Sequence, residues 1–365
     1  MKVKPKESRN SNIELFRIIC MVGIIISHFC IECGISQFAS PWNKLVFFVF
    51  QTGGAFGNIG FMTITAYYMD TFRFDIRKLI NLFIKITAYS WGVWFVWVVI
   101  LGHTISKEET LSSFFPVIYG AYEYLTVFMI IYCFGSLISK LLKHMKKKDH
   151  IFLLGLMSIV LAVPMVFLGA EEYLNYPLLF LYVIVLVDYL KKYELSIINN
   201  KKKLWIIWGI TFVMMFGHAF LMLVLENRFE YLRPFCSQWV KMWSLLVIVN
   251  MVTLFFIFRS LKLPDTVFIN KLGKATLGVF LLHAAPSCRS YYWKFFFHTE
   301  EYGIKNTVAM GISIVFLCIG VFVTTAVLEI VLQTLGKLFR KITLPQRYLN
   351  WCDRINAIMR VDACD

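Results

Sequence analysis

Ten long apolar runs, divided by short polar gaps, organise this chain of 365 residues. A helix that crosses a bilayer needs about 20 mainly apolar residues. Runs of that scale fall near 13–33, 43–69, 76–101, 117–141, 151–169, 173–190, 204–225, 236–258, 266–287 and 306–335. No gap is long enough to hold a soluble domain, and no internal repeat is evident. The pattern predicts an all-α integral membrane protein, a bundle of about ten transmembrane helices. One transmembrane domain is expected over 1–345 and a short cytoplasmic tail over 346–365.

Charge orients the bundle, because cytoplasmic gaps collect Lys and Arg. The start carries Lys2, Lys4, Lys6 and Arg9, and Arg73, Arg77 and Lys78 follow the second run. "KLLKHMKKKDH" follows the fourth run, "KKYELSIINNKKK" the sixth, and Arg259, Lys262, Lys271 and Lys274 the eighth. The intervening gaps, such as "ECGISQFASPWN" and "GAEEYLNY", are sparsely basic. Segment 288–305 is less clean, with Arg289, Lys294 and Lys305. Both termini are therefore expected in the cytoplasm. "MKVKPKESRNSN" runs into the first apolar segment without an A-x-A-like cleavage site, which reads as an uncleaved first span.

Composition agrees. The chain is 59% hydrophobic and 16% charged, with mean hydropathy +0.68, more apolar than one soluble core can absorb. A net charge of +15 raises nucleic acid as a partner, but the cations sit between apolar runs rather than on one domain, so no nucleic acid is expected. The nine cysteines form no framework. Cys30 and Cys33 make a single CxxC, weak evidence for zinc or redox work. No metal cluster, serine nucleophile elbow or glycosidase-like carboxylate pair is apparent.

Two polar groups interrupt the first run, "RNSNIELFRIICMVGIIISHF". Arg17 and His28 are eleven positions apart, so they share a helix face while lying about 16 Å apart along it. Arg17 falls near the cytoplasmic boundary and His28 near the outer one. Ionisable groups inside a span usually face a bundle interior or cavity. Glu14 is an i,i+3 neighbour of Arg17, so a local ion pair or a snorkelling Arg17 is the plainer reading, and a packing histidine is the plainer one for His28.

These residues also carry a resemblance. "SNIELFRIICMVGIIISHF" resembles the first span of acyltransferase family 3, with Arg17 and His28 on its Arg-x10-His positions and Ser27 where many relatives have a second His. "GNIGFMTITAYYM" is similar to the family's glycine-rich second span, with Thr65, Ala66 and Tyr67 in place of Ser-Gly-Tyr. "YEYLTVFMIIYCFGSLISKLL" resembles a further span, with Glu123 at a usual Trp. "INKLGKATLGVFLLHAAPSCRSYYW" resembles a segment of Gram-positive polysaccharide-modifying members, matching at His283, Pro286, Arg289 and Trp293 and departing at Ala284 and Ala285.

The resemblance implies transfer of an acyl group, most often acetyl, from cytoplasmic acyl-CoA to a hydroxyl of a cell-surface or lipid-linked glycan, in a bacterial plasma membrane. It implies His28 and His283 as catalytic groups, with His28 either a general base or an acyl carrier. Arg17, with Glu14 beside it, is expected to hold the phosphate-bearing donor, joined by Arg77, Lys78 and Lys85. Arg289, Trp293 and Tyr67 are expected on the acceptor side. A transporter or flippase of a lipid-linked glycan, with polar groups lining a path and no covalent step, is the alternative; a glycan polymerase would be expected to carry a large outer loop. Gly53-xxx-Gly57 reads as close helix packing, and Glu329 and His218 are unassigned polar groups inside spans.

Overall fold

A computed structural model describes residues 10–33, 41–168, 176–226, 228–229, 237–297, 302, 306–338 and 345–359. These residues form helices without strands. In chain order they are α1 (Ser11–Cys33), α2 (Pro41–Tyr67), α3 (Ile76–Trp94), α4 (Lys107–Phe114), α5 (Glu123–His144), α6 (Lys147–Leu168), α7 (Tyr176–Tyr193), α8 (Leu195–Ile198), α9 (Lys201–Glu226), α10 (Leu245–Arg259), α11 (Val267–His283), α12 (Arg289–Phe297), α13 (Thr307–Leu338) and α14 (Gln346–Met359). Among the described residues, seven segments are long and apolar enough to cross a membrane, built on α1, α2, α3, α5, α9, α10 and α13. Helices α6, α7 and α11 occupy the places of the other three expected runs.

The long helices alternate in direction, which gathers the basic clusters at one end. At this basal end, where α1 begins, Lys191 pairs with Asp70, Lys192 with Asp188, and Lys147 with Glu194. Arg259 donates to Asn199 there as well. At the opposite, distal end Lys44 pairs with Glu226.

Helix α1 packs against α2, α10, α11, α12 and α13. Glycines make its contact with α2 close: Gly23 faces Gly53 backbone to backbone, Gly54 faces Ser27, and Gly57 faces Ile24 and the Cys20 carbonyl. Small residues at such a crossing let two backbones approach, the role expected of Gly53-xxx-Gly57. Ser27 Oγ then donates to the Gln51 carbonyl at 2.8 Å.

Three features depart from the expected pattern. The fourth span begins at Glu123 rather than near 117, because the chain first turns through Gly120 at φ 62°. The gap before it contains α4, closed by a reciprocal capping box between Ser106 and Glu109. The expected tail contains α14, which docks on the start of α3: Asn356 Oδ1 accepts from the Ile76 amide at 2.8 Å, and Cys352 is fully buried.

Candidate active site

The polar residues ahead of Arg17 fasten α1 to α11. The Ser11 hydroxyl accepts from the Thr266 amide at 2.9 Å and donates to Asn270 at 3.2 Å. Asn12 donates to the Leu261 carbonyl at 2.5 Å and accepts from the Leu263 amide at 3.3 Å. One turn on, buried Glu14 packs against Gly273, where a side chain would collide with its carboxylate. Its Oε1 lies 3.9 Å from Arg17 Nε. The "SNIE" stretch thus sets the register between the helix that carries Arg17 and His28 and the helix that carries His283.

That register brings two histidines together. His28 Nδ1 and His283 Nε2 are 3.1 Å apart, and His283 Nδ1 lies 2.7 Å from the Val279 carbonyl. A carbonyl oxygen only accepts, so His283 Nδ1 carries a proton. In a neutral His283, Nε2 is then an acceptor and takes the Nδ1 proton of His28. This chain of bonds leaves His28 Nε2 with its lone pair. The Tyr122 hydroxyl, donating to the Leu281 carbonyl at 3.0 Å, holds the turn before α5 against the same part of α11. At the distal rim Arg289 Nε lies 3.5 Å from Glu32 Oε1.

Two cavities meet along this face of α1. The distal one, about 680 Å³, is lined by His28 and Arg289 together with Gln51, Glu123, Tyr176 and Lys241. The basal one, about 230 Å³, is mostly apolar, with Arg17, Thr65 and Thr276 among its lining. Ile24, Asn58, Tyr124 and Phe280 line both, so these four form a shared neck. The two cavities therefore lie end to end along α1, from Arg17 to His28.

The family model of an acyltransferase domain matches residues 10–329, nearly the whole helical bundle. The chain belongs to acyltransferase family 3. No curated protein and no solved structure matches it. Membership makes the protein a membrane acyltransferase, which removes the flippase alternative.

Within this acyltransferase the other expected site residues are dispersed. Lys85 binds the fully buried Glu329 at 2.7 Å, and Tyr89 donates to the same carboxylate. Arg77 pairs with Asp353 of α14 at 2.5 Å, and Lys78 is exposed on α3. None of Lys85, Arg77 and Lys78 lines either cavity. Tyr67, expected on the acceptor side, lies instead at the basal end, its ring centroid 4.7 Å from Lys191 Nζ. The second span runs inward, and its last residue must finish at the end opposite to His28. Trp293 is fully buried edge-on against Phe29 and lines neither cavity, so it supports α1 from behind. His218 stacks on Trp239 with centroids 4.2 Å apart. Cys30 is buried, and the side chain of Cys33 lies outside the described residues.

Gln51, Asn58, Tyr176 and Lys241 were not singled out from the sequence. A signal existed for Asn58 and Lys241, polar residues set within apolar runs. Gln51, ten residues into α2, carried the same signal, whereas Tyr176 opens α7, where polar groups are ordinary.

Proposed function

We propose that the enzyme moves an acyl group, acetyl in the first instance, from cytoplasmic acyl-CoA to a hydroxyl of an extracytoplasmic glycan at the cell membrane. The observation that carries this reading is the pair of cavities that share wall residues along α1, one lined by Arg17 and the other by His28. The spacing of these two residues suits the donor. Eleven helical residues rise about 16 Å, and the roughly thirteen bonds from phosphate to sulfur in a pantetheine arm extend about 15 Å at the pitch of an extended chain. With phosphates near Arg17, the thioester reaches the level of His28. The basal cavity is small and mostly apolar, which suits a slender arm, whereas the distal cavity is larger and more polar, which suits a sugar.

His28 is the general base. Its Nε2 takes the proton of the acceptor hydroxyl while the hydroxyl oxygen forms a bond to the thioester carbonyl carbon. The carbon–sulfur bond breaks, and the departing thiolate receives the proton from His28 Nε2, which restores the starting imidazole. His283 positions this base: by accepting the Nδ1 proton it fixes the tautomer that leaves Nε2 free. The positively charged basal end supports placing it in the cytoplasm, the side that holds acyl-CoA.

Membranes containing the protein, given acetyl-labelled acetyl-CoA, are expected to gain alkali-labile ester on glycan and to release free coenzyme A. His28→Ala should abolish both at normal protein levels. Unchanged glycan ester in that variant would overturn the assignment.

A further inference from the structure

We infer that Asn58 is a docking point for a pantetheine amide, which sets how far the thioester advances toward His28. The inference rests on acyl-CoA being the donor. Asn58 is one of the four neck residues and the only one with a side-chain amide; the other three are Ile24, Tyr124 and Phe280. Its amide makes no hydrogen bond to any described residue, although it stands inside an apolar span. It is part-exposed on the wall of both cavities, where its amide is open to a ligand.

The level of Asn58 on α1 follows from its neighbours. Gly57 packs against Ile24 and the Cys20 carbonyl, and Gly60 against Cys20 and Phe16. Asn58 therefore lies level with the Cys20–Ile24 turn, about six residues basal of His28, or roughly 9 Å at helical rise. In an extended pantetheine arm the second amide from sulfur is seven to eight bonds away, about 9 Å at the same chain pitch. When the sulfur reaches His28, that amide is beside Asn58. A carboxamide side chain supplies both a donor and an acceptor, the complement of a peptide-like amide. Of the other neck residues, Ile24 and Phe280 offer that amide no polar atom and Tyr124 a single hydroxyl, so Asn58 is the neck residue with separate donor and acceptor atoms.

The test uses purified full-length protein, titrated with coenzyme A and, separately, with its phosphoadenosine diphosphate portion, which lacks the arm. Asn58→Ala should weaken coenzyme A binding about tenfold, the scale of one lost hydrogen bond. It should leave the phosphoadenosine portion and the Tm of the unliganded protein unchanged. Coenzyme A affinity within twofold of wild type would overturn the inference, as would a parallel loss for both ligands or a lowered Tm. A wild-type protein that does not bind coenzyme A sinks the donor assignment itself and this inference with it. Asn58→Gln, one methylene longer, should retain binding but lower turnover by shifting the thioester off His28; turnover equal to wild type would contradict the positioning role.

Discussion

Gly53→Ala probes whether the α1–α2 contact holds the site. A Cβ at Gly53 would stand 2.5 Å from the Gly23 carbonyl oxygen and 3.0 Å from its carbon, both backbone atoms that cannot swing aside. Ordinary contact begins at 3.4 Å, so α1 and α2 must separate by about 0.9 Å at the crossing. Overpacking of this kind costs about 1–3 kcal/mol, and the better helix propensity of Ala returns about 1 kcal/mol. The net loss of about 0–2 kcal/mol leaves the protein folded. Catalysis suffers more, because α1 carries His28 while α2 supplies Gln51 and Asn58 to the distal cavity. A displacement near 1 Å costs on the order of 100-fold in rate. Turnover of labelled acetyl-CoA and Tm, measured on the same preparation, separate the two effects. Gly209→Ala in α9 is the control, since a Cβ there meets nothing within 4 Å. Wild-type turnover in Gly53→Ala, or an equal loss in Gly209→Ala, would refute the reasoning.

Three further outcomes are expected. His283→Leu should lower turnover about 100-fold, the scale of losing a positioned acid–base arrangement. His283→Gln, whose carbonyl can accept the His28 Nδ1 proton, should recover most of it; equal losses in the two variants would deny the tautomer role. Lys85→Met strands the buried Glu329 carboxylate with Tyr89 and Gln333, so stability should fall by about 3 kcal/mol while the KM for acetyl-CoA stays constant. A raised KM with an unchanged Tm would return Lys85 to the donor site. Arg17→Lys keeps the charge but loses the forked donors, and the KM for acetyl-CoA should rise about tenfold with kcat little changed; a wild-type KM would separate Arg17 from the phosphates.

What the sequence revealed followed from local periodicity. Spans such as α13 and α9 are continuous apolar runs, and a stretch of that length leaves few alternatives to a helix. The shared face of Arg17 and His28 follows from helical pitch alone. The approach of His28 to His283 does not, because 255 residues separate them and the contact depends on Ser11, Asn12 and Glu14 setting the register of α1 on α11. Lys85 reads in sequence as a cation in search of a phosphate, yet its partner Glu329 arrives from 244 residues away. Helix α14 is hard to read in the sequence because its mean polarity hides one apolar stripe, and α4 because it is only eight residues long. Tyr67 lies at the basal end because its span runs inward, a direction that the motif around it does not convey.

In the proposed reaction a thioester enters at the basal end, from the cytoplasm, and is discharged at His28 near the opposite surface. Inverted and right-side-out membrane vesicles from cells producing the protein, given impermeant labelled acetyl-CoA from outside, test it most directly. Label is expected on glycan only in the inverted vesicles, sealed in the lumen and shielded from added esterase. Equal labelling in right-side-out vesicles, or ester exposed on the donor face, would contradict it.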